Sequence, residues 1–90
     1  METVPLAMVP RNMIFALVND KLDKDNLPAI TIDDIFVVWF CKTLQNWKAL
    51  VSTTLPDDTY YEVTFDGDKN QVYIDTYRKI ENKAYDFVNE

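Results

Sequence analysis

Apolar residues change their spacing along this chain, and each change marks a new element. After Pro10, the residues Ile14, Leu17, Val18 and Leu22 recur at helical spacing, while Asn12, Asn19 and Asp20 face elsewhere. The spacing predicts an amphipathic helix with Pro10 in its first turn, where a missing N–H costs nothing. Lys21, Asp23, Lys24, Asp25 and Asn26 make a polar exit, and Pro28 prevents continuation. From Ile30 the run Ile35-Phe36-Val37-Val38-Trp39-Phe40-Cys41 is β-branched and aromatic, which predicts a strand. A helix opening at Thr31 is the rival, because Thr31 and Asp34 fit a capping box.

Leu44-Gln45-Asn46-Trp47 has the composition of a turn, and Lys48–Thr54 alternates as a second strand. Pro56-Asp57-Asp58 is a turn signal, with Pro presetting φ. Tyr60–Phe65 is a third strand and Gln71–Arg78 a fourth. Between them Asp66-Gly67 is the strongest turn, since Gly tolerates positive φ. Tyr77, Ile80, Ala84, Phe87 and Val88 then suit a short amphipathic helix over 78–88, unless the fourth strand runs on past Ile80. The expected fold is α+β. An N-terminal helix packs on a four-stranded antiparallel meander sheet, in the order α-β-β-β-β, with a short C-terminal helix.

The alternation assigns faces. Tyr61, Val63 and Phe65 share a side with Val72 and Ile74, an apolar face that should meet the helix. The opposite side carries Tyr60, Glu62 and Thr64 beside Tyr73, Asp75 and Tyr77. The first strand is apolar on both sides, with Phe36, Val38 and Phe40 on one and Val37, Trp39 and Cys41 on the other. Such a strand is expected at the sheet centre, covered twice, by the C-terminal segment or by another molecule. Trp39 and Cys41 are expected in the core, Cys41 as an inert thiol.

Composition narrows the chemistry. The chain has 90 residues, expected to form a single domain over 1–90, and is 48% hydrophobic, too apolar for disorder. The lone Cys41 excludes an internal disulfide and a cysteine zinc site, and suits a reducing cytoplasm. No basic segment precedes the apolar residues of Met1–Pro5, so no secretory signal is expected. The longest unbroken apolar run, Ile35–Cys41, is far short of the roughly 20 residues of a spanning helix. A net charge of −6 disfavours direct nucleic-acid binding and favours a basic partner surface.

With no His in the chain, neither Ser52 nor Cys41 has a base to activate it. The pairs Asp33-Asp34, Asp57-Asp58 and Asp66/Asp68 lie beside turns and element starts, where Asp is favoured for backbone hydrogen bonding. Asp66-Gly67-Asp68-Lys69-Asn70 opens like a calcium loop. It then fails, with Gln71 where Gly is needed and Tyr77 where Glu is needed. A phosphate-cradling loop needs several glycines, and Gly67 is the only one. Accordingly no catalytic residue, cofactor or metal is expected. The candidate partner-binding residues are Tyr60, Glu62, Tyr73, Asp75 and Tyr77 on the mixed face, together with Trp47, read as an exposed anchor in a polar turn. The alternative for the tyrosines is cross-strand pairing on a solvated face, and for Trp47 a cap on the end of the core.

The block Ile32–Leu50, above all Val38-Trp39-Phe40-Cys41-Lys42-Thr43-Leu44-Gln45-Asn46-Trp47-Lys48-Ala49-Leu50, continues through Tyr60–Thr64, Gly67–Lys69 and Val72–Asn82. It resembles a family of small proteins from phages and prophages of Gram-positive bacteria, a domain of unknown function. The resemblance covers Ile30 to Asn82. It implies a phage setting and a host-cytoplasmic location, and it brings no catalytic motif to carry over.

Three functions fit these expectations. The first is a non-enzymatic phage accessory protein that binds a protein partner, with a basic host surface as the target. The second is an acidic inhibitor of a host nucleic-acid enzyme or defence nuclease, which requires carboxylates lined along one face. The third is a self-associating structural protein, a homodimer built on the doubly apolar strand.

Overall fold

In the computed structural model, which describes residues 5–88, one helix lies against one side of a single sheet. The Met1–Val4 stretch read above for a secretory signal lies outside the described residues. A 3-10 turn, Leu6–Met8, leads into helix α1, Val9–Lys24. Pro10 sits in its first turn and is buried with Ile14 and Val18. The helix ends as its polar exit predicts. Asn26 takes φ 57°, Leu27 N–H returns to Leu22 O (2.8 Å) and Asn26 N–H to Asp23 O (3.0 Å). These two bonds form a Schellman close with Asn in the place usually held by Gly.

The competing readings of residues 31–41 are both realised in part. Ile32–Asp34 is a single 3-10 turn, and strand β1, Ile35–Thr43, follows it directly. The Asp34 carboxylate accepts from the Thr31 N–H (3.0 Å) and hydroxyl (3.2 Å), while Asp34 N–H donates to the Thr31 carbonyl (3.0 Å). Asp34 also accepts from the Thr54 hydroxyl (2.9 Å), which ties this turn to the end of the second strand. These bonds hold its carboxyl below the usual range, the Thr31 backbone contributing most and the Thr54 hydroxyl next.

Strands β2 (Asn46–Thr53), β3 (Thr59–Asp66) and β4 (Gln71–Arg78) complete an antiparallel sheet in the order β1-β2-β3-β4. The expected meander is therefore present. The first strand departs from expectation, because it forms an edge of the sheet rather than its centre. Short hairpins make sequence neighbours into sheet neighbours, so a first strand followed by three hairpins has only one side to pair.

The C-terminal helix is absent. Residues 79–88 have no regular secondary structure, and Ile80, Tyr85, Phe87 and Val88 are exposed. A short segment forms a helix in water only when an apolar face packs on something, and these side chains pack on nothing within the described chain.

The core lies between α1 and the inner side of the sheet. Ile14 and Val18 from the helix meet Ile35, Ala49, Val51, Tyr61 and Val63. Fully buried aliphatics such as Ile14, Ile35, Val51 and Val63 each contribute about 1.5–3 kcal/mol. At the turn end Trp47 lies between Phe40, whose ring is tilted against it (centroids 5.7 Å apart), and Phe65, on which it stacks (5.6 Å). Lys21 reaches across from the helix to stand 5.6 Å above the Tyr61 ring. Burial, and secondarily the charge of Asp57, pushes the Tyr61 phenol up.

Polar contacts fasten the helix to the strands. Arg11 donates through Nε to Ile35 O and through Nη2 to Ile32 O, both at 2.8 Å. Asn19, which lies off the apolar stripe of the helix, uses its whole amide on one residue: Oδ1 accepts from Ile30 N–H (2.9 Å) and Nδ2 donates to Ile30 O (3.3 Å). That pairing holds the irregular stretch before β1 against the helix.

Candidate functional site

The side of the sheet turned away from α1 is uncovered among the described residues. Its composition follows from register. Across the strands, Phe36 aligns with Ser52, Tyr60 and Tyr77; Trp39 with Leu50, Glu62 and Asp75; and Cys41 with Lys48, Thr64 and Tyr73. Five of the six expected binding residues, Tyr60, Glu62, Tyr73, Asp75 and Tyr77, thus lie together on this outer face.

Trp47 does not join them. It is 6% exposed and belongs to the inner face, where the Phe40 and Phe65 rings close over it. The polar residues around it misdirected the exposed-anchor reading. Asn46 and Lys48 point outward, as alternation requires of the neighbours of an inward residue, and Trp47 completes the end of the core.

The converse correction falls on β1. Trp39 is 41% exposed and Cys41 is exposed, although both were expected inside. The reason is a bulge: Val37 pairs with Val51 but Trp39 pairs with Leu50, so Val38 is an extra residue with no partner. Before it Phe36 points outward and Val37 inward; after it Trp39 points outward and Phe40 inward. Two large aromatics thus share the outer face at odd spacing, which strict alternation forbids. Nothing in the local composition announced the bulge. The doubly apolar character of the strand was its only trace.

Charge on this face is uneven. Glu62 lies directly opposite Asp75, a like-charge pair. Lys48 Nζ reaches Glu62 at 3.2 Å and offsets one of the two. Asp75 is exposed and, among the described residues, has no basic group within ion-pair distance. Tyr73 and Tyr77 flank it two residues away on the same strand, 44% and 51% exposed. Tyr73 donates its hydroxyl to Gln71 Oε1 (2.7 Å), which holds its ring over the face.

Towards the hairpin end the face hollows into a shallow concavity of about 600 Å³, lined by Trp39, Cys41, Lys48, Thr64 and Tyr73 among others. Two interlocked turns close that end. Gly67 N–H donates to Asn46 Oδ1 (2.8 Å), and the Gln45 amide donates to the Asp68 carboxylate. Asp66 Oδ1 accepts from the N–H groups of Asp68 (3.0 Å) and Lys69 (3.3 Å). The carboxylates of the calcium-like stretch are therefore engaged in holding the hairpins, as the turn reading expects.

The remaining chemistry-bearing residues have structural partners. Ser52 is 6% exposed and donates to Thr59 O (3.0 Å), joining β2 to the start of β3. Cys41 is a free thiol on the outer face with Lys48 as its cross-strand neighbour. Among the described residues no three Asp, Glu or Cys groups gather as a metal would require, and no helix is long and apolar enough to cross a membrane.

A helix covering one side of a four-stranded meander, with an aromatic-rich opposite side left open, defines a small α+β protein with a one-sided sheet. More specifically, the chain belongs to the family of unknown function DUF6275, whose model matches residues 8–87. No curated protein and no solved structure matches it.

Proposed function

We propose that this protein is a non-enzymatic binding module that engages a protein partner through the outer face of its sheet. One observation carries the reading. Five aromatic side chains, Phe36, Trp39, Tyr60, Tyr73 and Tyr77, share an uncovered face with an unneutralised carboxylate, Asp75. Aromatic rings supply large contact area at low entropic cost, and Tyr and Trp dominate interface hot spots. Asp75, with Glu62 behind it, selects a basic surface. In the phage setting that the family resemblance implies, such a partner is a protein of the host cytoplasm.

The nucleic-acid-mimic alternative draws less support. It needs carboxylates in a line, whereas Asp20 and Asp23 lie on α1, Asp57 and Asp58 at one end of the sheet, and Asp66 and Asp68 at the other. The test is affinity capture from host lysate with the wild-type chain and with a Tyr73→Ala/Asp75→Ala variant. A basic protein is retained by the first and lost by the second, and its retention weakens as salt rises. Identical partner sets for the two chains refute the proposal.

A further inference from the structure

Beyond β4 the chain carries apolar side chains into solvent. Ile80 is 92% exposed, Tyr85 82%, Phe87 88% and Val88 77%. The root of this segment is fixed. Lys79 N–H donates to Asp58 O (2.8 Å) and Lys79 Nζ stands 3.9 Å from the Asp58 carboxylate. These contacts prolong the β3–β4 pairing past Arg78, and beyond them the exposure of both the segment and the outer-face residues Trp39, Tyr73 and Tyr77 shows that the one does not cover the other. The Cα radius of gyration, 15.7 Å, reflects this extension. A compact chain of this length has about 12 Å. One molecule thus presents two unsatisfied apolar surfaces, an exposed segment and an open sheet face.

We infer that two copies of this chain associate, each laying residues 80–88 on the outer sheet face of the other. The inference rests on the proposed reading of that face as a docking surface, and it makes the second copy a competitor of the partner for the same residues.

Area supports this occupant. An aromatic side chain buries about 150–250 Å², so Tyr85 and Phe87 with Ile80 and Val88 offer roughly 500 Å² on each segment. The receiving face loses a similar area, and two reciprocal contacts bury about 2,000 Å² in total, the upper end of the range for stable interfaces. Within residues 80–88 Lys83 stands beside Glu81 and Asp86, so the segment is net −1 and its charge match to the acidic face is local, at Lys83. Among the described residues Lys83 pairs with Glu81 in an exposed contact (2.9 Å), which it can exchange for Asp75 of a second copy. A closed two-fold exchange also leaves no segment over to recruit a third chain.

Sedimentation equilibrium of the full chain tests this. The expected mass is twice the 10.5 kDa of one chain. Tyr85→Ala/Phe87→Ala should give the monomer, and because both side chains stand in solvent, the substitution removes no packing from the fold. Trp39→Ala and, separately, Tyr73→Ala should weaken association at least tenfold. An equimolar mixture of Trp39→Ala with Tyr85→Ala/Phe87→Ala regains one intact contact and should associate more tightly than Tyr85→Ala/Phe87→Ala alone. A wild-type monomer at the highest soluble concentration overturns the inference, as does a dimer indifferent to the segment substitutions. A dimer broken by those substitutions but untouched by Trp39→Ala and Tyr73→Ala overturns the placement on the outer face. A monomeric wild type whose lysate partner is still lost on Tyr73→Ala/Asp75→Ala refutes the exchange alone. A dimer that behaves as expected, with an unchanged partner set, refutes the binding proposal alone.

Discussion

Replacing Gly67 by Ala separates two reasons for a glycine in the β3–β4 hairpin. The turn argument holds that Gly supplies positive φ, but Gly67 has none; Asn70 takes φ 52° in the same turn instead. If turn conformation were the whole matter, Ala would be neutral, or would stabilise by about 0.4–1 kcal/mol through a less flexible unfolded chain. Space says otherwise. A Cβ on Gly67 would stand 2.3 Å from the Gln45 carbonyl oxygen, 2.5 Å from Gln45 Cγ and 2.7 Å from Gln45 Cβ. Gln45 Cγ can swing aside, but Cβ is fixed by the backbone and the carbonyl is backbone of the β1–β2 turn, so neither can. Relief requires the two turns to separate, which strains the bond from Gly67 N–H to Asn46 Oδ1.

Overpacking of this kind costs about 1–3 kcal/mol, and a lost bond to a neutral side chain adds about 1 kcal/mol. After the entropic gain, the net loss is about 2 kcal/mol. Urea unfolding followed by tryptophan fluorescence measures it, since Trp47 is stacked in the core beside these turns. With a slope of about 1 kcal/mol/M for a small chain, the midpoint falls by about 2 M. In a Gln45→Gly background, the same substitution should cost less but not nothing, because the carbonyl remains. A midpoint that is unchanged or raised by Gly67→Ala refutes the close-approach argument.

Three other outcomes are expected. Leu44 is 78% exposed at φ 54°, a conformation that costs a residue with a Cβ about 1–2 kcal/mol; the more flexible unfolded chain of a Gly offsets about 0.4–1 kcal/mol of that, so Leu44→Gly should raise the thermal midpoint by about 3–6 °C, and a fall contradicts this. Asp34, held below its ordinary value in the folded state, stabilises the fold above the unfolded carboxyl pKa, and that contribution is lost as pH falls through the folded value. Asp34→Asn should therefore flatten the acid limb of the stability curve, and parallel limbs for the two chains count against the assignment. Trp47→Ala should cost about 3–5 kcal/mol and Trp39→Ala about 1 kcal/mol or less, and the reverse order in urea would contradict their placement on inner and outer faces.

The elements with a clean period were legible from the residues. Gln71–Arg78 alternates without interruption and forms a strand with those bounds, and Ile14, Val18 and Leu22 mark the face that α1 packs inward. What escaped was set by contacts between distant residues. The bulge at Val38 is a matter of pairing with β2, and it decided whether Trp39 or Phe40 entered the core. Gly67 looked like a turn residue because its need for space comes from Gln45, which is remote in sequence. The helical spacing of Ile80, Ala84, Phe87 and Val88 was real as a pattern, yet spacing alone does not supply a surface to pack on. On the candidate face, two tyrosines and a carboxylate of β4 could be placed by alternation, whereas its two β1 aromatics, Phe36 and Trp39, could not.

The unpaired residue in β1 also governs how this molecule can stick to others. An edge strand offers free N–H and C=O groups along its length, and a flat one recruits further strands without limit. A bulge bends such an edge and breaks its hydrogen-bonding frame. Here the same residue that turns Phe36 and Trp39 outward spoils the β1 edge as a template. Stickiness is moved from the rim of the sheet, where growth is open-ended and leads to fibres, to its flat, where one occupant fills the site.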